Sequence, residues 1–188
     1  MTYIRSWFIV ALLCAPLAFP DSASAQGEGD VISSPEIGAA LLPLAQCVVA
    51  ESGGHTSDVI AIAHVLAKRA RQAGVTAAEM ARRYCRIHRD AARGIDHVRP
   101  HRRWILELTW RPVQPQPASW PGGQWSQMRD AWRKVQLLVV LVATGELDDP
   151  CPDAFHWGGH MDGRPKRTGP VSCGATRNLF GSRPGRSI

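Results

Sequence analysis

The chain has 188 residues, of which 45% are hydrophobic and 20% charged, and its formal net charge is +6. This size and composition allow one folded domain with a substantial core. The positive charge favours anionic polymers as partners, and a solvated basic surface is the other interpretation. The basic residues do not form the arginine-aromatic module of a nucleic-acid reader, so we expect no nucleic-acid partner.

The first 25 residues have the pattern of a secretory signal peptide. Arg5 precedes an apolar run from Trp7 to Leu13, and Ala23-Ser24-Ala25 supplies a small-x-small cleavage site. We therefore predict cleavage after Ala25 and a periplasmic or secreted protein. No later apolar run is long enough to span a bilayer, so we expect no stable membrane insertion.

Cleavage at that site would leave 188 − 25 = 163 residues. Residues 26–35 are polar and glycine-bearing, which is typical of a flexible arm. Residues 36–188 are predicted to form a single domain.

Four of the five cysteines follow the signal: Cys47, Cys85, Cys151 and Cys173. In an exported chain, four cysteines favour two disulfides over free thiols, and three pairings are possible. We favour Cys47–Cys85 and Cys151–Cys173, because each pair closes a local module. A zinc site is the alternative, although the chain has no CxxC motif.

Apolar periodicity predicts three helices in the first half of the domain. The first runs from residue 35 or 36 to residue 50, and the second follows Ser57 as its N-cap and is closed by Gly74. Thr76 and Glu79 have the spacing of a capping box, which begins a short third helix that extends through Tyr84.

The second half is less regular. Residues 86–123 are basic and proline-bearing, and we predict one short helix near His101–Leu108 followed by loop. A long helix is expected from Ser126 to Thr144, with Gly145 as its stop. Phe155–Trp157 and Arg177–Phe180 are predicted strands of a hairpin closed by the second disulfide, so the fold class is α+β and mostly helical.

Glu51 stands at the inner end of the first apolar helix, just before Gly53 and Gly54. Burial there would favour the protonated carboxyl, as a general acid requires, and the glycines allow a sharp turn and the close approach of a ligand. A glutamate in this position is how glycosidases protonate a glycosidic oxygen. The alternative is a surface glutamate that merely ends a helix.

Six short fragments, in order along the chain, extend this interpretation. They are Ala50-Glu51, Ile60-Ala61-Ile62-Ala63-His64-Val65 with Arg69, Ala118-Ser119-Trp120, Ala143-Thr144-Gly145 with Asp149-Pro150, Ala154-Phe155-His156-Trp157, and Thr176-Arg177-Asn178-Leu179-Phe180. Together they resemble the SleB-like cell-wall hydrolases, a group of lytic transglycosylases with a lysozyme-like architecture. The resemblance covers about residues 41 to 181.

Some positions depart from that family. Ser52 replaces an alanine, Lys68 stands where the family has asparagine, and Gly159-His160 replaces a more typical asparagine-proline. The segment Glu51-Ser52-Gly53 also resembles goose-lysozyme-like transglycosylases, but their Gly-Leu-Met-Gln segment is absent.

The resemblance implies an exported enzyme that cleaves the MurNAc–GlcNAc bond of peptidoglycan with Glu51 as its one general acid/base and no cofactor. The muramyl 6-hydroxyl would attack its own anomeric carbon, giving a 1,6-anhydro sugar. The candidate substrate-binding residues are Ser119, Trp120, His156, Trp157 and Asn178. The tryptophans could instead belong to the core, and Ser119 and Asn178 to a loop and a turn.

Other chemistries remain open. Asp149, Asp153 and Asp162 are weak candidates for the second carboxylate that a hydrolysing glycosidase needs. His156 and His160 with Asp162 could hold the zinc of an amidase, but Gly158-Gly159 argue against a helix there. A non-catalytic envelope protein that binds glycan or a partner protein on the same fold is the main alternative to an enzyme.

Overall fold

The computed structural model describes residues 35–94, 100–111, 115–116, 120, 122–158 and 170–182. The predicted signal peptide, residues 26–34 of the predicted arm, and Ser119, His160 and Asp162 lie outside these ranges. The helices are α1 Pro35–Ser52, α2 Thr56–Ala73, α3 Ala77–Tyr84, α4 Arg86–Ala92, α5 Pro100–Glu107 and α6 Gly122–Thr144. The strands are β1 His156–Gly158, β2 Pro170–Val171 and β3 Leu179–Gly181.

Helix α1 lies at the centre of the helical part and packs against α2, α3 and α6. Its apolar residues Leu44, Ala45, Val48 and Val49 are buried, as the periodicity predicted. Pro43 lies within this helix, and His88 of α4 donates from Nε2 to its carbonyl at 2.8 Å.

The boundaries of α2 and α3 follow local signals, with one correction. Gly74 ends α2 in a left-handed conformation with φ of 63°, and Thr76 and Glu79 form the predicted capping box of α3. Ser57 is not the N-cap of α2, because the helix begins at Thr56 and His55 occupies that position. The Val59 N–H donates to the His55 carbonyl at 2.9 Å, so the helical hydrogen bonds begin at His55 rather than at Ser57.

Two elements of the less regular half differ from their predictions. Helix α4 lies in a segment that the sequence suggested was irregular, and its Ile87 is buried in the core. Helix α6 begins at Gly122 rather than near Ser126, because buried Trp125 packs against Trp120 and thereby holds the first turn. It ends at Thr144, before Gly145 with φ of 80°, as predicted.

The strands form one small antiparallel sheet in the order β1-β3-β2. Trp157 and Phe180 are opposite each other at the centre of the β1–β3 pair, and the residues beside these strands are hydrogen-bonded to side chains of α2. At the start of α2, Asp58 accepts hydrogen bonds from the residues before β3; near its end, Arg69 donates to the carbonyl of Phe155, just before β1. The fold class is therefore mostly helical with a small antiparallel sheet, as expected, but β2 adds a third strand to the predicted hairpin.

Both disulfides have the predicted pairing. The Cα atoms are 5.8 Å apart in Cys47–Cys85, which joins α1 to the end of α3, and 5.2 Å apart in Cys151–Cys173. The pairing excludes the alternative that these cysteines ligate zinc. Two disulfides indicate an oxidising environment outside the cytoplasm.

Within the described ranges, no helix is both long and apolar enough to cross a membrane.

Candidate functional site

Glu51 is in the last turn of α1, and its side chain is half-buried. The helix ends immediately afterwards, where Gly53 donates its N–H to the Val49 carbonyl at 3.0 Å. Gly53 and Gly54 both have positive φ, of 60° and 83°, which residues with a side chain adopt only at a cost. They allow α2 to begin four residues after Ser52.

Gly54 also lies against helix α6. A Cβ atom at this position would be 3.0 Å from the Cβ of Ala131, so the absence of a side chain permits the close approach. The end of α1 is thus held between the start of α2 and the first half of α6.

The C-terminal sheet also contacts the end of α1, through the residue that precedes β3. Asn178, the residue before β3, donates from Nδ2 to the main-chain carbonyl of Glu51 at 3.2 Å. That carbonyl is among the last four of α1, which have no partner within the helix. The predicted substrate-binding residue Asn178 is therefore beside the predicted catalytic residue, although the two are 127 positions apart.

Asp58, in the first turn of α2, fixes this junction. Its side chain is 1% exposed, and it accepts main-chain hydrogen bonds from Arg177 and Asn178 at 3.0–3.1 Å. His55 Nδ1 lies 3.3 Å from Asp58 Oδ2, within ion-pair distance but not aligned for a hydrogen bond. No local sequence signal could have found these contacts, because their partners lie 119 and 120 residues away.

His156 and Trp157 lie in a second cluster near the end of α2. Arg69 Nη1 is 3.1 Å from His156 Nδ1, and Tyr84 Oη is 3.0 Å from the same nitrogen. A guanidinium only donates, so Nδ1 is an acceptor and the neutral imidazole carries its proton on Nε2. This nitrogen of His156 therefore has a structural role.

Aromatic stacking completes the second cluster. The Arg69 guanidinium lies 3.8 Å from the centroid of the Tyr84 ring, and the Tyr84 and Trp157 rings are 4.9 Å apart. The side chain of Trp157 is 6% exposed. Trp157 is therefore part of the core in this structure. Its role in stacking on a sugar ring stays a prediction.

Trp120 lies in a third group with Trp104 and Trp125. Its ring centroid is 5.0 Å from that of Trp104 and 5.4 Å from that of Trp125, and the residue is 4% exposed. Stacking of Trp120 on a pyranose ring would require this cluster to open. Ser119, predicted beside it, is outside the described residues.

Lys68 of α2 holds the turn after α6. Its Nζ lies 2.8 Å from Asp149 Oδ2 and donates to the carbonyls of Cys151 and Pro152 at 2.8 and 2.9 Å. Asp149 Oδ1 also accepts from the N–H of Cys151. Asp149 thus has structural partners at both oxygens, while Asp153 is exposed.

His64, also on α2, is close to this turn. Burial lowers its pKa, while Asp149 and a hydrogen bond with the Leu147 backbone act in the opposite direction. Across the described residues, no three histidine, cysteine or acidic side chains are grouped as metal ligands would be. The predicted metal alternative involves His160 and Asp162, which lie outside those residues.

Comparisons of this chain with protein-family models, with curated proteins and with solved structures gave no match.

Proposed function

We propose that the protein is an exported lytic transglycosylase with a lysozyme-like fold, which cleaves the MurNAc–GlcNAc bond of peptidoglycan. Glu51 is its general acid/base. The observation that carries the proposal is the junction at the end of α1. A half-buried glutamate lies in the last helical turn, and the C-terminal sheet contacts its main chain through Asn178.

This junction combines the two requirements of the chemistry. A general acid must stand where it can donate to the glycosidic oxygen, and glycosidases commonly place that carboxyl in a partly buried position. Fixed surroundings hold the acid in one geometry, which contributes strongly to rate when the reacting atoms must be aligned. The glycine turn and the hydrogen bond from Asn178 constrain the main chain at Glu51, which supports this role.

In the proposed reaction, Glu51 donates its proton to the bridging oxygen as the bond from that oxygen to the muramyl anomeric carbon breaks. The muramyl 6-hydroxyl then bonds to the anomeric carbon and transfers its proton to the Glu51 carboxylate. The products are a 1,6-anhydromuramyl end and a new GlcNAc hydroxyl. Water is not consumed, and the enzyme returns to its starting protonation state.

The surroundings of two other carboxylates support the use of one acid. A hydrolysing glycosidase needs a second carboxylate as a base or nucleophile. Asp58, the acid nearest along the chain in the described residues after Glu51, is 1% exposed and accepts main-chain hydrogen bonds. Asp149 is bonded to Lys68 and to the Cys151 N–H.

The substitution Glu51→Gln tests this proposal. It keeps the shape of the side chain but removes the transferable proton, so turnover of purified peptidoglycan should fall at least about 100-fold, the usual contribution of general acid catalysis. Released muropeptides are separated by chromatography and weighed by mass spectrometry. The wild-type products should be lighter than hydrolysed ones by one water molecule.

Glu36→Gln is the matched control, since Glu36 is an exposed glutamate in the first turn of the same helix. It should leave turnover unchanged. Equal activity of the folded Glu51→Gln variant and the wild type would remove Glu51 from the mechanism. Products without the anhydro ring would indicate a hydrolase.

A non-catalytic glycan- or partner-binding envelope protein is the second candidate. The burial of Trp120 and Trp157 favours it, because in that case the tryptophans serve stability. Such a protein would sediment with peptidoglycan but release no fragments, and Glu51→Gln would not alter its binding.

A further inference from the structure

We infer that Asp58 is a positioning residue for the Glu51 site and that it acts through Asn178. The inference rests on the proposed function, to which it adds a residue. Its basis is a closed loop of contacts, in which the chain connects Glu51 to Asp58, and hydrogen bonds connect Asp58 to Asn178 and Asn178 back to Glu51.

Asp58 is strongly held in this loop. A carboxylate that is 1% exposed is costly to bury unless its oxygens are hydrogen-bonded. Here Oδ1 accepts from the N–H groups of Arg177 and Asn178, and Oδ2 accepts from Arg177. Its position in the first turn of α2 also places its charge at the positive end of the helix dipole.

These bonds determine where Asn178 lies. Because its N–H is fixed by Asp58, the side chain starts from a defined backbone position, and Nδ2 meets the Glu51 carbonyl. The last turn of α1 is thereby tied to the sheet. Without Asp58, the sheet would still hold β3, but the main chain of Asn178 would lose its hydrogen bond to α2 and only the side-chain bond to Glu51 would remain in this loop.

Asp149 offers a control for simple loss of stability. It accepts a hydrogen bond from the N–H of Cys151, which begins the segment that leads to β1, and it is paired with Lys68 of α2. Lys68 is ten positions beyond Asp58, which is about 15 Å along the helix at 1.5 Å per residue. Asp149→Asn should therefore weaken the attachment of that segment without altering the Glu51 end.

The experiment measures kcat and KM on purified peptidoglycan for wild type, Asp58→Asn, Asn178→Ala and Asp149→Asn, at a temperature where all are folded. Asp58→Asn places an amide among main-chain donors and should lower kcat roughly 10- to 100-fold, as small misplacements of reacting groups do. KM should stay within about twofold, because uniform binding is kept. Asp149→Asn should lower the melting temperature but leave kcat within about twofold.

A double variant tests the route through Asn178. If both residues act through one contact, Asp58→Asn combined with Asn178→Ala should lower kcat no more than about threefold beyond the stronger single variant. Fully additive losses would overturn the inference. So would a kcat of Asp58→Asn equal to that of Asp149→Asn.

Hydrogen exchange of the Asn178 side-chain amide, measured by NMR, separates this inference from the proposed function. Asp58→Asn should accelerate that exchange, and Asp149→Asn should not. An inactive wild type would refute the proposed function, while unchanged exchange in Asp58→Asn would refute the contact that the inference needs. If Asp58→Asn does not fold, Asn178→Ala carries the kinetic test, and a wild-type kcat in that variant overturns the inference.

Discussion

Buried polar residues of this protein bind main-chain groups far away in sequence. Gln46 of α1 donates from Nε2 to the carbonyls of Leu106 and Leu108, just as Asp58 accepts from Arg177 and Asn178. Such bonds offset the cost of burying a polar group and also specify which distant segment packs there. The junction at Glu51 is held by bonds of this kind.

Gln136 departs from that pattern. It is fully buried in α6, and neither amide atom has a hydrogen-bond partner within the part of the chain that the structure describes. Its neighbours Val135 and Val139 are buried apolar residues, so Gln136 is a polar residue in an apolar part of the helix.

His88 should make the stability of the protein depend on pH. Burial lowers the pKa of its imidazole below the ordinary value of 6.5, although the hydrogen bond to the Pro43 carbonyl opposes the shift. The unfolded chain therefore binds more protons around and below pH 6.5, so the free energy of unfolding should rise with pH through this window. Urea denaturation at a series of pH values measures it.

His88→Gln should flatten part of this dependence. Some should remain, because burial also lowers the pKa of His64. The variant His64→Gln and the double variant separate the two contributions. An identical pH dependence in wild type and the double variant would contradict the assignment to these histidines.

The helices differ in how locally their boundaries are encoded. The capping box of α3 and the glycines after α2 and α6 act within a few residues, so the sequence predicted those ends. Helix α4 has few such signals, and tertiary contacts such as the burial of Ile87 and the His88–Pro43 hydrogen bond help to fix it. The start of α6 likewise depends on the packing of Trp125.

Gly38 in α1 is a site where packing should outweigh helix propensity. A Cβ atom there would lie 2.5 Å from Cδ1 and Cγ of Trp110, so Gly38→Ala requires the indole or the helix to move. Replacing a helical glycine with alanine normally stabilises by about 1 kcal/mol. Overpacking costs about 1–3 kcal/mol, so we expect net destabilisation, measured by urea denaturation.

Gly123→Ala is the matched control. Gly123 lies in the exposed first turn of α6, and an added Cβ would meet nothing within 4 Å. This variant should be neutral or more stable by up to about 1 kcal/mol. A stabilising effect of the same size at Gly38 would show that Trp110 does not restrict that position.

The whole molecule is held together by the helical core and two disulfides. Cys47–Cys85 links α1 to the end of α3 within the core, and Cys151–Cys173 closes the segment that contains β1 and β2. Replacing either pair with alanines should lower the free energy of unfolding by about 2–4 kcal/mol, because the unfolded chain gains freedom. Urea denaturation measures this change.

The two disulfides should stabilise different parts of the molecule. Loss of Cys151–Cys173 should also accelerate hydrogen exchange of the β1 and β3 amides, while loss of Cys47–Cys85 should act mainly on the helices. The same urea midpoint in reductant and in oxidant, with the thiols shown to be free in reductant, would contradict a stabilising role.

The sequence alone determined the mostly helical class, the apolar faces of α1 and α2 and several helix ends, and it favoured the cysteine pairing that the structure has. Those properties follow from periodicity, capping and proximity, which act over short distances along the chain. It also singled out Glu51 and Asn178, but not the contact between them.

Only the tertiary structure decided the Asp58–Asn178–Glu51 loop, the burial of Trp120 and the attachment of Lys68 to the turn at Asp149. The Asp58 and Lys68 contacts join residues more than 80 positions apart in the chain. Local patterns carry no information about which distant backbone groups will meet a given side chain. That choice follows from which C-terminal segments lie beside Asp58, Lys68 and Arg69 of α2, which is a property of the complete fold.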